Sequence, residues 1–162
     1  YWYAVANQNI STGSGMDLTN LFREFHPDVQ QIISATPKDS IFFSEIIDLK
    51  PIPAWQQKNV CLLGDAAHAT TPNMGQGACQ AIEDALVLQQ ILKEESDWEK
   101  ATKLFEQKRI ARVTKVVNNS WNVGKLAQLE NPLLIKLRNW TMKRTPDRMR
   151  DKQYEFLYEI DF

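Results

Sequence analysis

Two cysteines in 162 residues are too few for a disulfide framework, and no charged-then-apolar segment opens the chain as a secretory signal would. Cys61 falls in an apolar, strand-like run and Cys79 in a helix-like run. Both positions suit buried, reduced thiols, so the expected setting is cytoplasmic. An excess of one charge is also lacking: 19 basic against 20 acidic residues leave a formal net charge of -1. That balance gives no electrostatic reason to expect nucleic acid or an anionic membrane as the main partner. Even the basic stretch "RTPDRMRDK" is interleaved with acids. No apolar run approaches the ~20 residues that cross a bilayer, which argues against a transmembrane segment. His26, Cys61, His68 and Cys79 do not have the spacing of a zinc site, so no metal is expected.

What is present is ordinary for a folded domain: 43% hydrophobic and 24% charged residues. "YWYAVAN" predicts a strand and "QNISTGSG" a loop. Asp17 caps a helix carrying Leu18, Leu21, Phe22 and Phe25, and a second short helix follows with Val29, Ile32 and Ile33 inward. "SIFFSEIIDL" is rich in β-branched and aromatic residues and reads as a strand; "VCLL", apolar on both faces, reads as a central, covered one. Helix formers then run from Gln76 to Lys93, with Ile82 and Leu86 on the expected apolar stripe. A longer helix runs from the cap Asp97 toward Leu129, with Leu104, Phe105, Ile110, Val113, Val117 and Trp121 as its apolar side. Its polar side is expected to carry Glu106, Lys108, Arg109 and Arg112. Pro132 and Pro146 each start a further helix, where the missing N–H costs nothing. The fold class is α/β, or α+β for the piece in isolation. Two or three strands would leave long unpaired edges, so partner strands are expected from elsewhere. The first residue, Tyr1 instead of Met, fits a piece of a longer protein.

The chemistry concentrates in "VCLLGDAAHATTPNMGQGACQAIEDALVL". A buried strand that ends in Gly64 and Asp65 projects a carboxylate from its C-terminal edge, where open α/β sheets bind ligands. That carboxylate accepts hydrogen bonds from sugar or polyol hydroxyls, or else simply caps a turn. Gly75 and Gly77 strip side chains from the start of a helix, leaving free N–H groups and the positive dipole end to face an anion. A plain loop-to-helix turn has the same spelling. His68 reads either as a general base beside Asp65 or as a loop histidine bonded to backbone or sugar; no GxSxG nucleophile lies near it. Glu83 and Asp84 favour the helix dipole, and Arg109 and Arg112 are available as their structural partners.

The same stretch closely resembles the GD-motif segment of the FAD-dependent aromatic-ring hydroxylases, the single-component flavin monooxygenases similar to p-hydroxybenzoate hydroxylase. It looks most like the branch with urate hydroxylase, zeaxanthin epoxidase and salicylate hydroxylase. "SEIIDLKPIPAW" and the closing "FLYEIDF" carry a weaker likeness. The resemblance implies that residues 1–55 end a substrate-binding sheet and return to the FAD domain, that 56–95 hold an FAD-domain strand, the GD motif and a flavin-facing helix, and that 96–162 form a C-terminal helical region. It implies FAD as cofactor, with Asp65 on a ribityl hydroxyl and Pro72 beside the isoalloxazine ring. The amides of Gly75, Gln76, Gly77, Ala78 and Cys79 would then face the N1 and C2 carbonyl edge of the flavin, where oriented dipoles stabilise the negative charge of the reduced ring. The implied reaction uses NADH or NADPH and O2 to hydroxylate or epoxidise an aromatic or olefinic small molecule through a flavin hydroperoxide. No catalytic base is assigned.

Two family features are missing: a GxGxxG that follows a strand, and the acidic DG motif. The GSG of Gly13 to Gly15 replaces neither. An N-terminal FAD-binding half is therefore expected as partner, and the isolated chain is expected to bind FAD weakly, to be inactive and to self-associate. Trp2, Tyr3, Phe42 and Phe43 line part of the substrate cavity or belong to the core. A reading of another class makes the chain a non-catalytic helical module that binds protein through Leu104 to Trp121.

Overall fold

The computed structural model describes residues 1–7 and 16–158. The predicted "QNISTGSG" loop, with Gly13 to Gly15, lies outside the described residues, as do the last four residues of "FLYEIDF". The chain divides into two compact units, Tyr1–Ile46 and Ile47–Phe162.

In the first unit, α1 (Leu18–Leu21) is capped by Asp17, whose side chain accepts from the Asn20 amide. Helix α2 (Pro27–Ala35) starts on a proline after His26, whose ring nitrogen accepts from Asp28 N. Phe22 and Ile33 are buried, Ile32 is exposed and Val29 half-buried. The indole Nε1–H of Trp2 donates to Thr36 Oγ1 at 3.0 Å. Residues 1–7 and 41–50 do not form the strands that their composition predicts. A strand needs a ladder of backbone N–H and C=O bonds to a neighbour, and the bond from Leu49 N to Ala69 O at 2.9 Å is too little to make one.

The second unit begins with a hairpin: β1 (Gln56–Gln57) pairs antiparallel with β2 (Val60–Cys61), in the register Gln56 to Cys61 and Gln57 to Val60. Lys58 turns the chain at φ 52°. "VCLL" is thus the second arm of a short hairpin, with Val60 exposed, instead of a central covered strand. After the hairpin come α3 (Asp65–His68), α4 (Gly77–Glu94), α5 (Trp98–Ala127), α6 (Pro132–Arg144) and α7 (Asp147–Tyr158). Asp97 caps α5 through the Lys100 amide, and Asn131 caps α6 through Leu133 and Leu134. These four long helices follow the predicted order and caps closely. Among the described residues, no helix is long and apolar enough to cross a membrane.

The core lies between the hairpin and the antiparallel pair α4 and α5: Trp55, Ala67, Val87, Ile91, Ala101, Phe105, Val113 and Val117. Trp55 packs its ring 5.8 Å from Phe105 and 5.3 Å from the His68 imidazole. Glu106, on α5, accepts from the amides of Trp55 at 2.6 Å and Gln56 at 3.3 Å, which anchors the hairpin to the helix.

Two expectations about helix faces are corrected. Ile82 and Leu86 are exposed, and α4 instead buries Gln80, Glu83, Asp84, Val87 and Ile91. On α5, Phe105, Val113 and Val117 are buried as expected, but Leu104 and Trp121 are exposed and Arg109, expected on the polar side, is buried. Charged groups tolerate that burial because Arg109 lies opposite Glu83 and Asp84, so each charge has a partner. The cysteines are both free, as expected, but depart from expectation in burial: Cys61 is only half-buried and Cys79 is exposed.

Candidate functional site

Gly64 ends the hairpin arm at φ 58° and ψ -143°, a backbone that a side chain would strain. A Cβ there would also lie 3.2 Å from Ala81 Cβ on α4. This glycine therefore lets the loop press against α4 and turns Asp65 outward at the start of α3, where its carboxylate is exposed. Residues 69–76 cross to α4 by way of a short 3-10 turn, Pro72–Met74, that starts on the exposed Pro72.

Gly75 closes that turn at φ 63°, with nothing within 4 Å of the place a Cβ would occupy. Gln76 follows as the buried N-cap of α4. The first bond closing the helix runs from Gln80 N to Gln76 O. The amides of Gly77, Ala78 and Cys79 thus stand in the opening turn, ahead of that bond, on residues that are half-buried or exposed. A Cβ on Gly77 would come 3.9 Å from Asp65 Oδ1 and 3.6 Å from Thr70 Cγ2. The structure thus brings the Asp65 carboxylate and the glycine-opened helix start to one place, with Pro72 and Gly75 on the connecting turn.

Below this surface the loop is held by polar contacts. Thr71 and Ser120 share a buried hydroxyl–hydroxyl bond at 2.8 Å, and Ser120 Oγ also donates to Thr71 O at 2.7 Å. The Asn73 amide donates to Ser120 O at 3.1 Å. The hydroxyl of Thr70 is buried without a hydrogen-bond partner among the described residues.

His68 is turned inward, away from Asp65. Its Nε2 lies 2.6 Å from Asp84 Oδ2, and that same oxygen accepts from the Gly64 amide at 2.9 Å. Asp84 Oδ1 accepts from Arg109 Nε at 2.7 Å, and Arg109 Nη1 donates to Glu83 Oε2 at 2.6 Å. Glu83 also receives Arg112, which donates to both carboxylate oxygens, at 2.8 and 3.1 Å. Burial pushes the Asp84 carboxyl upward, but hydrogen bonds from His68, the Gly64 amide and Arg109 together outweigh it and hold its pKa below the usual value. Glu83 follows the same pattern: burial raises it, and the two arginines carry it lower. Burial, then the nearby charges of Glu106 and Asp84, raise the Cys61 thiol.

The alternatives for His68 close here: its ring is buried on a carboxylate behind the loop, and Asp84 is its partner. Glu83 and Asp84 are structural anchors and more than dipole residues. The sequence does show that Gln80, Glu83, Asp84, Val87 and Ile91 keep helical spacing on one stripe and Phe105, Arg109 and Val113 on another, but spacing alone does not say that a stripe with charged residues turns inward.

Comparison with known proteins gives this geometry its class. Residues 49–123 match the FAD binding domain family. The chain is 37% identical over 150 residues to the aurachin C monooxygenase/isomerase of Stigmatella aurantiaca, an alignment covering 88% of this chain and 38% of that protein. It is 35% identical over 140 residues to an FAD-dependent urate hydroxylase of Klebsiella pneumoniae, covering 83% and 36%. Among solved structures, a variant of Klebsiella pneumoniae HpxO complexed with FAD superposes with a TM-score of 0.79 at 28% identity, covering 96% of this chain and 41% of that one. The resemblance to FAD-dependent hydroxylases is thereby established, together with the fold class. In each of these three comparisons the chain spans less than half the length of its counterpart.

Proposed function

We propose that this chain supplies the flavin-facing part of an FAD-dependent monooxygenase whose remaining FAD-binding half lies in a longer polypeptide. The observation that carries the reading is the convergence of an exposed Asp65 carboxylate with Gly77, 3.9 Å from Oδ1 to the position of a glycine Cβ, on a turn where Gly75 leaves open space. An open cradle of small residues, one carboxylate and a helix start fits a ligand with hydroxyls and an electron-rich ring edge. The Thr70 hydroxyl, buried without a partner among the described residues, adds one more unused polar group.

In this reading Asp65 accepts a hydrogen bond from a ribityl hydroxyl and so fixes the sugar-alcohol chain. The amides of Gly75, Gln76, Gly77, Ala78 and Cys79 face the ring edge near N1 and the C2 carbonyl, and stabilise negative charge there. Pro72 packs beside the ring and excludes water without offering a proton. When bound, FAD supplies the redox chemistry, taking electrons from NADH or NADPH and delivering them to O2 for oxygen insertion into an aromatic or olefinic small molecule. Substrate choice belongs to the longer protein.

The test is spectroscopic. The longer protein that contains this segment should copurify with flavin absorbance and oxidise NADH or NADPH faster when an aromatic substrate is added. The isolated chain mixed with FAD should show neither tight binding nor turnover. A longer protein that shows no affinity for FAD overturns the proposal.

A further inference from the structure

The Asp65 carboxylate is exposed, and the short α3 that carries it is only four residues long, so the turn's own hydrogen bonds hold it poorly. Its fixed points lie elsewhere. One oxygen of Asp84 grips both ends of α3, accepting from the Gly64 amide at the N-cap and meeting His68 Nε2 at the last residue. The other oxygen receives Arg109. From there the contacts continue outward without a gap: Arg109 also reaches Glu83, Gln80 O and Gln80 Oε1. Glu83 binds Arg112. Arg112 in turn donates to Phe156 O at 2.7 Å and Leu157 O at 3.1 Å, carbonyls in the last described turn of α7. Phe156 additionally lies under two cations, Arg112 at 5.2 Å and Lys115 at 3.9 Å.

We infer that Asp84 is a positioning residue for the Gly64–Asp65 turn, and that it couples this turn to the docking of α7 through Arg109, Glu83 and Arg112. Removing α7 or Arg112 loosens Glu83, which shifts Arg109 and then Asp84, and the Asp65 carboxylate loses its fixed direction. Buried ion pairs carry such coupling well because a missing partner leaves a charge that must move to find another. The inference rests on the flavin reading for its consequence, and on the hydrogen bonds alone for its mechanism.

The experiment uses Asp84→Asn, Arg112→Gln and their double variant, with Arg138→Gln as a control. Arg138 also ties two helices together, donating to Leu126 O and Ala127 O, but has no link to Asp84. The first readout needs no flavin: the Gly64 amide resonance and its hydrogen exchange in the chain itself. Exchange at Gly64 should speed up at least about tenfold in Asp84→Asn and also in Arg112→Gln, and stay unchanged in Arg138→Gln. The second readout is FAD affinity by flavin fluorescence in the longer protein. We expect about tenfold weaker binding for Asp84→Asn, severalfold for Arg112→Gln, and a double variant no weaker than Asp84→Asn alone. A Gly64 amide indifferent to Arg112→Gln overturns the coupling. Additive losses, or an equal loss in Arg138→Gln, reduce the effect to general stability and overturn it as well. Absence of FAD binding in the unmutated protein defeats the flavin reading instead, while the Gly64 readout still decides the coupling.

Discussion

His68 Nε2 lies 2.6 Å from Asp84 Oδ2, with the side chains exposed by only 3% and 0%. This buried pair joins the end of the GD loop to the middle of α4, and it explains why the histidine in "GDAAH" faces the interior when Asp65, three residues earlier, faces out. A four-residue helix turns by roughly one full rotation; its first two residues, Asp65 and Ala66, stay at the surface, while Ala67 and His68 are buried. The two carboxylates of one motif therefore differ: Asp65 is exposed, and Asp84 is committed to the fold.

Acid should release this anchor. Asp84 and Glu83 have folded-state pKa values below their ordinary ones, so the unfolded chain takes up their protons first as pH falls. Their stabilisation is complete above the ordinary carboxylate range and is lost as pH drops below about 4 toward the lowered values. Urea midpoints should be nearly flat from about pH 7 to 5 and fall below about pH 4; in Glu83→Gln/Asp84→Asn that fall should be much shallower. An equal acid slope in the double variant would show that other carboxylates control it.

Removing Arg109 should cost more than any surface charge. Its guanidinium is 2% exposed and meets two carboxylates, so Arg109→Met strands both Glu83 and Asp84. The expected loss is about 3–5 kcal/mol in denaturant unfolding, the range for breaking a buried pair from one side. Replacing the acids together with Arg109 should recover only part of it, because Arg112, His68 and the Gly64 amide then lose Glu83 and Asp84. Arg138→Met, which strands no buried carboxylate, should cost below about 1 kcal/mol.

Much of this was legible in the chain, for definite reasons. Asp17, Asp97 and Pro132 speak locally, through caps and a first-turn proline, and the helices start where they say. The convergence of Asp65 with Gly77 was also readable, since both signals fall within one short stretch. The burial of Arg109, Glu83 and Asp84 was hidden because hydropathy assigns charge to the outside, whereas only their pairing across α4 and α5 makes the inside tolerable. The failure of "SIFFSEIIDL" to form a strand has a related cause: propensity describes one segment, and a ladder needs two.

The two left-handed glycines should respond differently to substitution. Gly64→Ala places a methyl 3.2 Å from Ala81 Cβ on a backbone already at φ 58° and ψ -143°, so strain and overpacking add. A loss of about 2–4 kcal/mol is expected. Gly75, at φ 63° and ψ 25°, has open space around it, so Gly75→Ala should cost only about 1–2 kcal/mol and Gly75→Asn less. Thermal melts of the three variants give the order directly; a Gly64→Ala protein as stable as Gly75→Ala would contradict the close packing of the loop on α4.

Asp65 is the position at which stability and ligand binding should separate. Its carboxylate is exposed and makes no contact in the buried network, so Asp65→Ala should unfold within about 0.5 kcal/mol of the parent protein. In the longer flavoprotein proposed above, the same change removes one charge-assisted hydrogen bond to the cofactor. FAD affinity should then weaken about tenfold to a hundredfold. Asp65→Asn, which keeps an acceptor oxygen without the charge, should fall between the two. Both quantities come from paired measurements, a denaturant curve and a flavin fluorescence titration on the same protein. A large stability loss with unaltered flavin binding would assign Asp65 to the turn alone, and the cradle at Gly77 would then lack the carboxylate on which its chemistry depends.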